Sequence, residues 1–173
     1  MPVFVWFFGR GFIQGGTSSL FFNPQSWVQR IREHIVVTVN FRSNIFGFPN
    51  ALGLKDQNLG LLDQLLSLEC VRENIAKFGG DPSKMSDWGE SAGSIAVDYL
   101  NLAYTEDPIV GASTMKPGTA LFEPQGNRLI SDVTHSNFAA VAKSFNCSCA
   151  PVASQINCLR DISWQAICIY SHC

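Results

Sequence analysis

Apolar residues form two continuous runs near the start of the chain, Val3–Phe8 (VFVWFF) and Ile35–Asn40 (IVVTVN), both rich in β-branched or aromatic side chains. A run that is apolar at nearly every position, rather than at alternate ones, predicts a strand buried on both faces of a sheet. The first run ends in the turn Gly9-Arg10-Gly11. Between the two runs, Pro24–Glu33 places Trp27, Val28 and Ile31 on one face of a short helix. A loop rich in Gly, Asn and Pro, Ser43–Gln57, leads to the clearest helical pattern in the chain. That helix is predicted from about Leu59 to Phe78, with Leu62, Leu65, Leu66, Val71 and Ile75 as its apolar positions and Gly79-Gly80 as its stop.

A short strand around Lys84–Trp88 follows, then the turn Gly89-Glu90-Ser91-Ala92-Gly93, then a helix from Ser91 to about Tyr104. Gly111–Lys116 reads as one more strand. Strands alternating with helices in this way predict an α/β fold with a parallel sheet and crossover helices. After Gly118 the character changes: a loop carries Pro124, Gly126 and Asn127, a helix is predicted at Asn137–Phe145, and short cysteine-bearing helices continue to the end. No internal repeat or low-complexity tract interrupts the chain. The expected division is residues 1–121 for the sheet region and residues 122–173 for a helical region of the same domain.

Composition narrows the class. The 173 residues are 46% hydrophobic and 15% charged, which is globular rather than disordered. A formal charge of −2 gives no electrostatic footprint for nucleic acid. The apolar start MPVFVWFFGRGF lacks a basic leader segment and a small-residue cleavage site, so it reads as a strand and not as a signal peptide. No apolar run reaches the roughly 18 residues of a membrane helix, so no membrane span is expected. Five of the six cysteines lie from Cys147 onward, and Cys147, Cys149 and Cys158 could close a short disulfide loop suited to an oxidising compartment. A zinc site using these cysteines with His172 and Cys173 lacks paired C-x-x-C spacing, so no metal is expected. Asn146-Cys147-Ser148 formally matches a glycosylation sequon.

The chemistry concentrates at Ser91. Gly-x-Ser-x-Gly set between a strand and a helix is the context of a nucleophile elbow, where glycines give clearance to a serine held in a strained backbone conformation. An acyl-transfer site also needs backbone N–H donors for the oxyanion. Ala92 follows the serine, and Gly9-Arg10-Gly11-Phe12 follows the first strand, so both pieces fall where one mechanism needs them.

The stretches FVWFFGRGF, IVVTVNFRSNIFGF, NLGLLDQLLSLECVRENIAKFGGDPSKM and WGESAGS, in that order and with those gaps, resemble the type B carboxylesterases, the cholinesterase and fungal lipase family within the α/β-hydrolases. VDYLNLAYTEDPIV, followed by GTAL, looks most like the fungal members. The resemblance implies a partial α/β-hydrolase fold with a mostly parallel central sheet, incomplete at both ends. It implies a serine carboxylic-ester hydrolase with a small-molecule ester substrate, no cofactor, and secretion of the full-length parent. Residue by residue, it implies Ser91 as nucleophile, the N–H groups of Arg10, Gly11 and Ala92 as oxyanion hole, and Glu90 as a carboxylate tuning the base or simply satisfied by nearby backbone. It implies an ion pair between Arg42 and Asp63. It also implies a small disulfide loop joining Cys147 or Cys149 to Cys158, with the shorter spacing of the fungal lipases favouring Cys149.

This chain departs from the family at two points. Members usually carry Gly-Gly-Gly-Phe where this chain has Gly9-Arg10-Gly11-Phe12, so Arg10 is expected to meet a glycine-only dihedral or to crowd the acyl oxygen. The triad order is Ser, acid, His, and the family's acid and histidine both fall beyond Cys173, which leads to the expectation of a fragment. His34 is predicted at the far end of the sheet from the serine. His135 and His172, with Glu123, Asp132 or Asp161, could formally rebuild a triad but match no motif. The rival readings are a non-catalytic cholinesterase-like binding or adhesion module, and a redox or metal protein built on the C-terminal cysteines.

Overall fold

The computed structural model describes residues 1–121, 135–148 and 151–171. The apolar runs pair as strands β1 (Val3–Phe7) and β2 (Ile35–Val39), joined by β3 (Met85–Glu90) and β4 (Ala112–Lys116). All pairings are parallel, in the order β2-β1-β3-β4. Helix α1 (Gln25–Ile31) connects β1 to β2 and α4 (Ala92–Ala103) connects β3 to β4. Between β2 and β3 run α2 (Asn44–Gly47), a four-residue helix inside the expected loop, and α3 (Leu59–Asn74), whose final turn Ile75–Phe78 tightens to 3-10 geometry before Gly79. The fold is the α/β arrangement expected for part of an α/β-hydrolase.

Two sequence expectations are corrected. β2 is not buried on both faces: Ile35 to Thr38 are each half-buried, because β2 ends the sheet among the described residues and only one neighbour covers it. In α3 the buried positions are Gly60, Gln64, Leu68 and then Ile75, while Leu62 and Leu66 are 37% and 63% exposed. Apolar and polar residues are mixed all round this helix with no dominant apolar stripe, so its pattern cannot select a face and tertiary packing does. Gln64 is fully buried, and neither atom of its side-chain amide is hydrogen-bonded among the described residues.

The register fixes which residues share a face, since parallel neighbours point the same way. Val3, Val5 and Phe7 stand beside Met85, Asp87 and Gly89, and this face carries α4. Phe4, Trp6, Ser86 and Trp88 take the other face. There the indoles of Trp6 and Trp88 meet edge to face at 4.9 Å, and Trp27 of α1 packs 5.8 Å from Trp88 and 5.3 Å from Phe4. A cavity of about 360 Å³ opens beside these rings, lined by Trp6, Phe22, Trp27 and Trp88.

The chain groups into two compact units: Met1–Gly11, Gly15–Phe41 and Leu61–Glu123 form one, and Phe12–Gln14, Arg42–Gly60 and Pro124–Cys173 the other. The second unit holds α5 (Ser136–Ser144), α6 (Val152–Arg160) and α7 (Trp164–Ser171). Phe138, Val141, Ala142, Leu159 and Ile167 bury there against Ala51 and Cys147. Cys147 is bonded to Cys158 with the Cα atoms 5.7 Å apart. This corrects the preference for Cys149, which lies outside the described residues. Cys147 lies three residues past α5 and is 1% exposed in this core, and the pairing ties it to the half-buried Cys158 of α6.

Candidate active site

β1 and β3 end side by side, Phe7 opposite Gly89, so the turns that follow them share the C-terminal edge of the sheet. Ser91 occupies φ 53°, ψ −118°, a region sparsely populated by any residue with a Cβ. Its strain is held in place by backbone bonds on both sides. The Ser91 N–H donates to the Lys116 carbonyl at 2.8 Å, and the Ser91 carbonyl accepts from Ile95 N–H at 3.0 Å. The chain after β4 folds back over the turn, where Ser94 Oγ donates to the Gly118 carbonyl at 2.7 Å and Ala120 N–H donates to the Asp98 carboxylate at 2.6 Å.

The glycines around Ser91 are required by contact. A Cβ on Gly93 would collide with the carbonyl oxygens of Phe7 and Phe8, and one on Gly89 would collide with the backbone of Gly93. A Cβ on Gly9 would stand 2.8 Å from Ser91 Cβ and 2.6 Å from a Glu90 carboxylate oxygen. Backbone therefore packs directly on backbone, which seats the loop after β1 against the serine. Arg10, Gly11 and Phe12 continue that loop with φ of 71°, 68° and 61°. Arg10 thus adopts the left-handed conformation expected of glycine, while its side chain is exposed.

The N–H groups of Arg10, Gly11 and Ala92 donate to no backbone carbonyl among the described residues. Ala92 opens the twelve-residue α4, whose N-terminal dipole favours negative charge beside Ser91. Glu90 is half-buried next to Gly9. The arrangement can present a hydroxyl and several unengaged donors to one small region, which is the requirement of acyl transfer.

The candidate bases are placed differently. His34 is the first unit's only histidine among the described residues, and it precedes Ile35, level with Val3 and Met85. It stands a full strand length below the serine, about 20 Å at ~3.3 Å per residue. It is buried against Trp27 with ring centroids 4.2 Å apart, and its Nε2 has no hydrogen-bond partner among the described residues. His135 belongs to the second unit, where its Nδ1 lies in hydrogen-bond reach of the Asn50 carbonyl. Asp161 caps the end of α6 in that unit. Glu123, Asp132 and His172 lie outside the described residues. Arg42 belongs to the second unit and Asp63 to the first. Among the described residues no group of His, Cys, Asp and Glu is placed to hold a metal ion, and no helix is long and apolar enough to cross a membrane.

One acidic residue escaped the reading of the sequence. Asp87 is fully buried on the α4 face of β3, and among the described residues neither carboxylate oxygen has a hydrogen-bond partner. Ser113 lies opposite on β4, but its hydroxyl is engaged with the Asn101 side chain of α4 at 3.0 and 3.2 Å. Burial pushes the Asp87 pKa up to about 6, and the nearby Ser113 hydroxyl opposes this only in part. The alternation of Met85, Asp87 and Gly89 along β3 was the signal that could have placed it on the buried face.

The sequence model of the Carboxylesterase family matches residues 1–171. The chain belongs to this family. It is 42% identical over 163 residues to a chlorogenic acid esterase of Aspergillus niger and 43% identical over 167 residues to secreted lipase 5 of Gibberella zeae. Each alignment covers 94% of this chain and 31% of the relative. A cholinesterase of Mus musculus is 34% identical, over 95% of this chain and 27% of that protein. The chain therefore spans about a third of the length of these relatives.

Proposed function

We propose that these residues form the nucleophile half of a serine carboxylic-ester hydrolase. Ser91 attacks the ester carbonyl, the N–H groups of Ala92, Gly11 and Arg10 hold the developing oxyanion, and an acyl-Ser91 intermediate is released by water. Glu90 is read as the carboxylate that orients the base. The observation that carries this reading is the strained Ser91 backbone between β3 and α4, with Gly9 packed against it. Membership of the Carboxylesterase family supports the reaction class, and relatives named as secreted lipases support secretion of the parent protein. The Cys147–Cys158 disulfide suits the same compartment.

A serine hydroxyl needs a base, and His34 is at the wrong edge of the sheet to serve. The base therefore comes from outside the first unit. A fluorophosphonate probe tests the assignment, offered to this chain alone and to the chain extended to the length of its relatives. Labelling at Ser91 in the extended polypeptide, abolished by Ser91→Ala and slow or absent in the 173-residue chain, is expected. A folded extended polypeptide that leaves Ser91 unlabelled overturns the proposal.

A further inference from the structure

Arg10 occupies a position where backbone alone satisfies the oxyanion loop, so its side chain calls for a separate explanation. Its φ of 71° is one that glycine adopts freely and a residue with a Cβ adopts under strain. The side chain is exposed and makes no hydrogen bond or ion pair among the described residues. The two other charged groups at this edge are engaged differently. Glu90 is half-buried beside Gly9, and the Lys116 ammonium is held 5.6 Å from the centre of the Trp88 ring. Lys116 is exposed as well but is held over Trp88, so Arg10 is the unengaged cation at this edge among the described residues, and it directly follows Gly9, against which Ser91 Cβ packs. With a net charge of −2 the chain has no general basicity that would account for a cation here.

We propose that Arg10 selects the substrate: its guanidinium binds a carboxylate carried by the ester in addition to the scissile group. The preferred substrates are then anionic esters, in which an acid group lies within reach of the oxyanion loop. A guanidinium is charged at every relevant pH, and its planar fork matches a carboxylate with two parallel hydrogen bonds, so it recognises this group better than an ammonium does. The backbone N–H of Arg10 remains available to the oxyanion, so recognition and stabilisation come from different atoms of one residue. This proposal rests on reading Ser91 as the nucleophile and adds to it the class of substrate.

The test is binding to the full chain carrying Ser91→Ala, which cannot turn the ligand over. Isothermal titration compares meta-carboxyphenyl butyrate with its methyl-ester-capped counterpart, which differs by one charge. The acid should bind about tenfold more tightly, with the preference shrinking as salt rises from about 0.1 to 1 M. Adding Arg10→Gly should abolish the preference, and Arg10→Lys should retain part of it. Equal affinity for both esters, binding of neither, or a preference that survives Arg10→Gly in a variant that still melts cooperatively would each overturn the proposal. Arg10→Gln serves as the neutral variant if Arg10→Gly does not fold. Because binding is read with the serine removed, a chain whose Ser91 never takes a fluorophosphonate label can still pass or fail this test. The two readings therefore fail separately.

Discussion

The two faces of the sheet are packed by opposite means. On the α4 face, side chains are absent where the helix meets the strands: Gly89 touches Gly93, and Gly93 touches the carbonyls of Phe7 and Phe8. On the other face, rings fill the space, with Trp6, Trp27 and Trp88 meeting at 4.9 to 5.8 Å beside an open cavity. Close backbone packing leaves no freedom to shift, whereas large side chains can rearrange around a gap. The serine is fixed by the first kind of packing. Strain at Ser91 can persist only where the surroundings over-determine it, and the glycine contacts provide that constraint.

Gly93→Val is the most damaging way to break this difference. The new Cβ would meet two backbone carbonyls, which cannot rotate away as a side-chain tip could. Overpacking commonly costs about 1–3 kcal/mol, and with rigid neighbours on two sides we expect about 4 kcal/mol or more. Thermal melting should show loss of the cooperative transition. A Gly93→Val chain that melts within a few degrees of the parent would show that α4 is free to move, and that the close face is no more rigid than the aromatic one.

Asp87 is the weak point of the close-packed face, and its replacement should stabilise the protein. Its folded pKa of about 6 lies above the unfolded value of 3.8, so the folded chain holds the proton more tightly. Its contribution is therefore most favourable below the unfolded value, falls as pH rises between the two, and is fully lost above about pH 6. The difference corresponds to about 3 kcal/mol. Asp87→Val should raise stability by about that amount at pH 8 and by much less at pH 4, and Asp87→Asn should flatten the same pH dependence. Denaturation measured across this range checks the sign. A wild-type stability that rises from pH 4 to pH 7 in step with Asp87 ionisation would contradict it.

How far the sequence reveals these features follows from what each signal measures. Continuous apolar runs identified β1 and the elbow's glycines identified the turn, because burial and backbone clearance both restrict residue type locally. The same kind of run located β2 but overstated its burial, since an IVVTVN segment reads alike whether one or two neighbours cover it. Leu62 and Leu66 misled for a related reason: a helix with leucines and polar residues mixed round its circumference does not state which side is covered, and Gln64 took the buried row instead. The choice of Cys147 over Cys149 depends on where α5 ends, which spacing alone does not give. At the candidate site, Ser91 and the Gly9–Phe12 loop proposed for the oxyanion were legible as motifs. The stranding of His34 at the opposite edge followed from strand direction. Asp87 was overlooked because an acidic residue suggests a solvent-facing position, and only its alternation with Met85 and Gly89 along β3 marks it as buried.

The aromatic face should respond more mildly. Trp88 is half-buried, cradled by Trp6 and Trp27, and lies beside a cavity that can absorb rearrangement. Removing a buried Trp costs about 3–5 kcal/mol, so partial burial suggests about 2 kcal/mol for Trp88→Ala. The variant should still melt cooperatively and should keep Ser91 reactivity in the extended polypeptide. A loss as large as that of Gly93→Val would erase the contrast between the two faces.

The smallest effect tests the loop that joins the close face to the chemistry. Arg10 sits at φ 71°, where a Cβ crowds the neighbouring carbonyl, and Arg10→Gly relieves that crowding while adding backbone freedom to the unfolded chain. The first effect favours the folded state and the second opposes it, leaving a net gain of about 1 kcal/mol or less. We expect Arg10→Gly to melt slightly higher than the parent and to lose the preference for anionic esters. That combination is what a side chain retained for recognition against a small conformational strain would produce. A lower melting temperature would instead assign Arg10 to holding the loop, and would place the origin of its unusual backbone in stability.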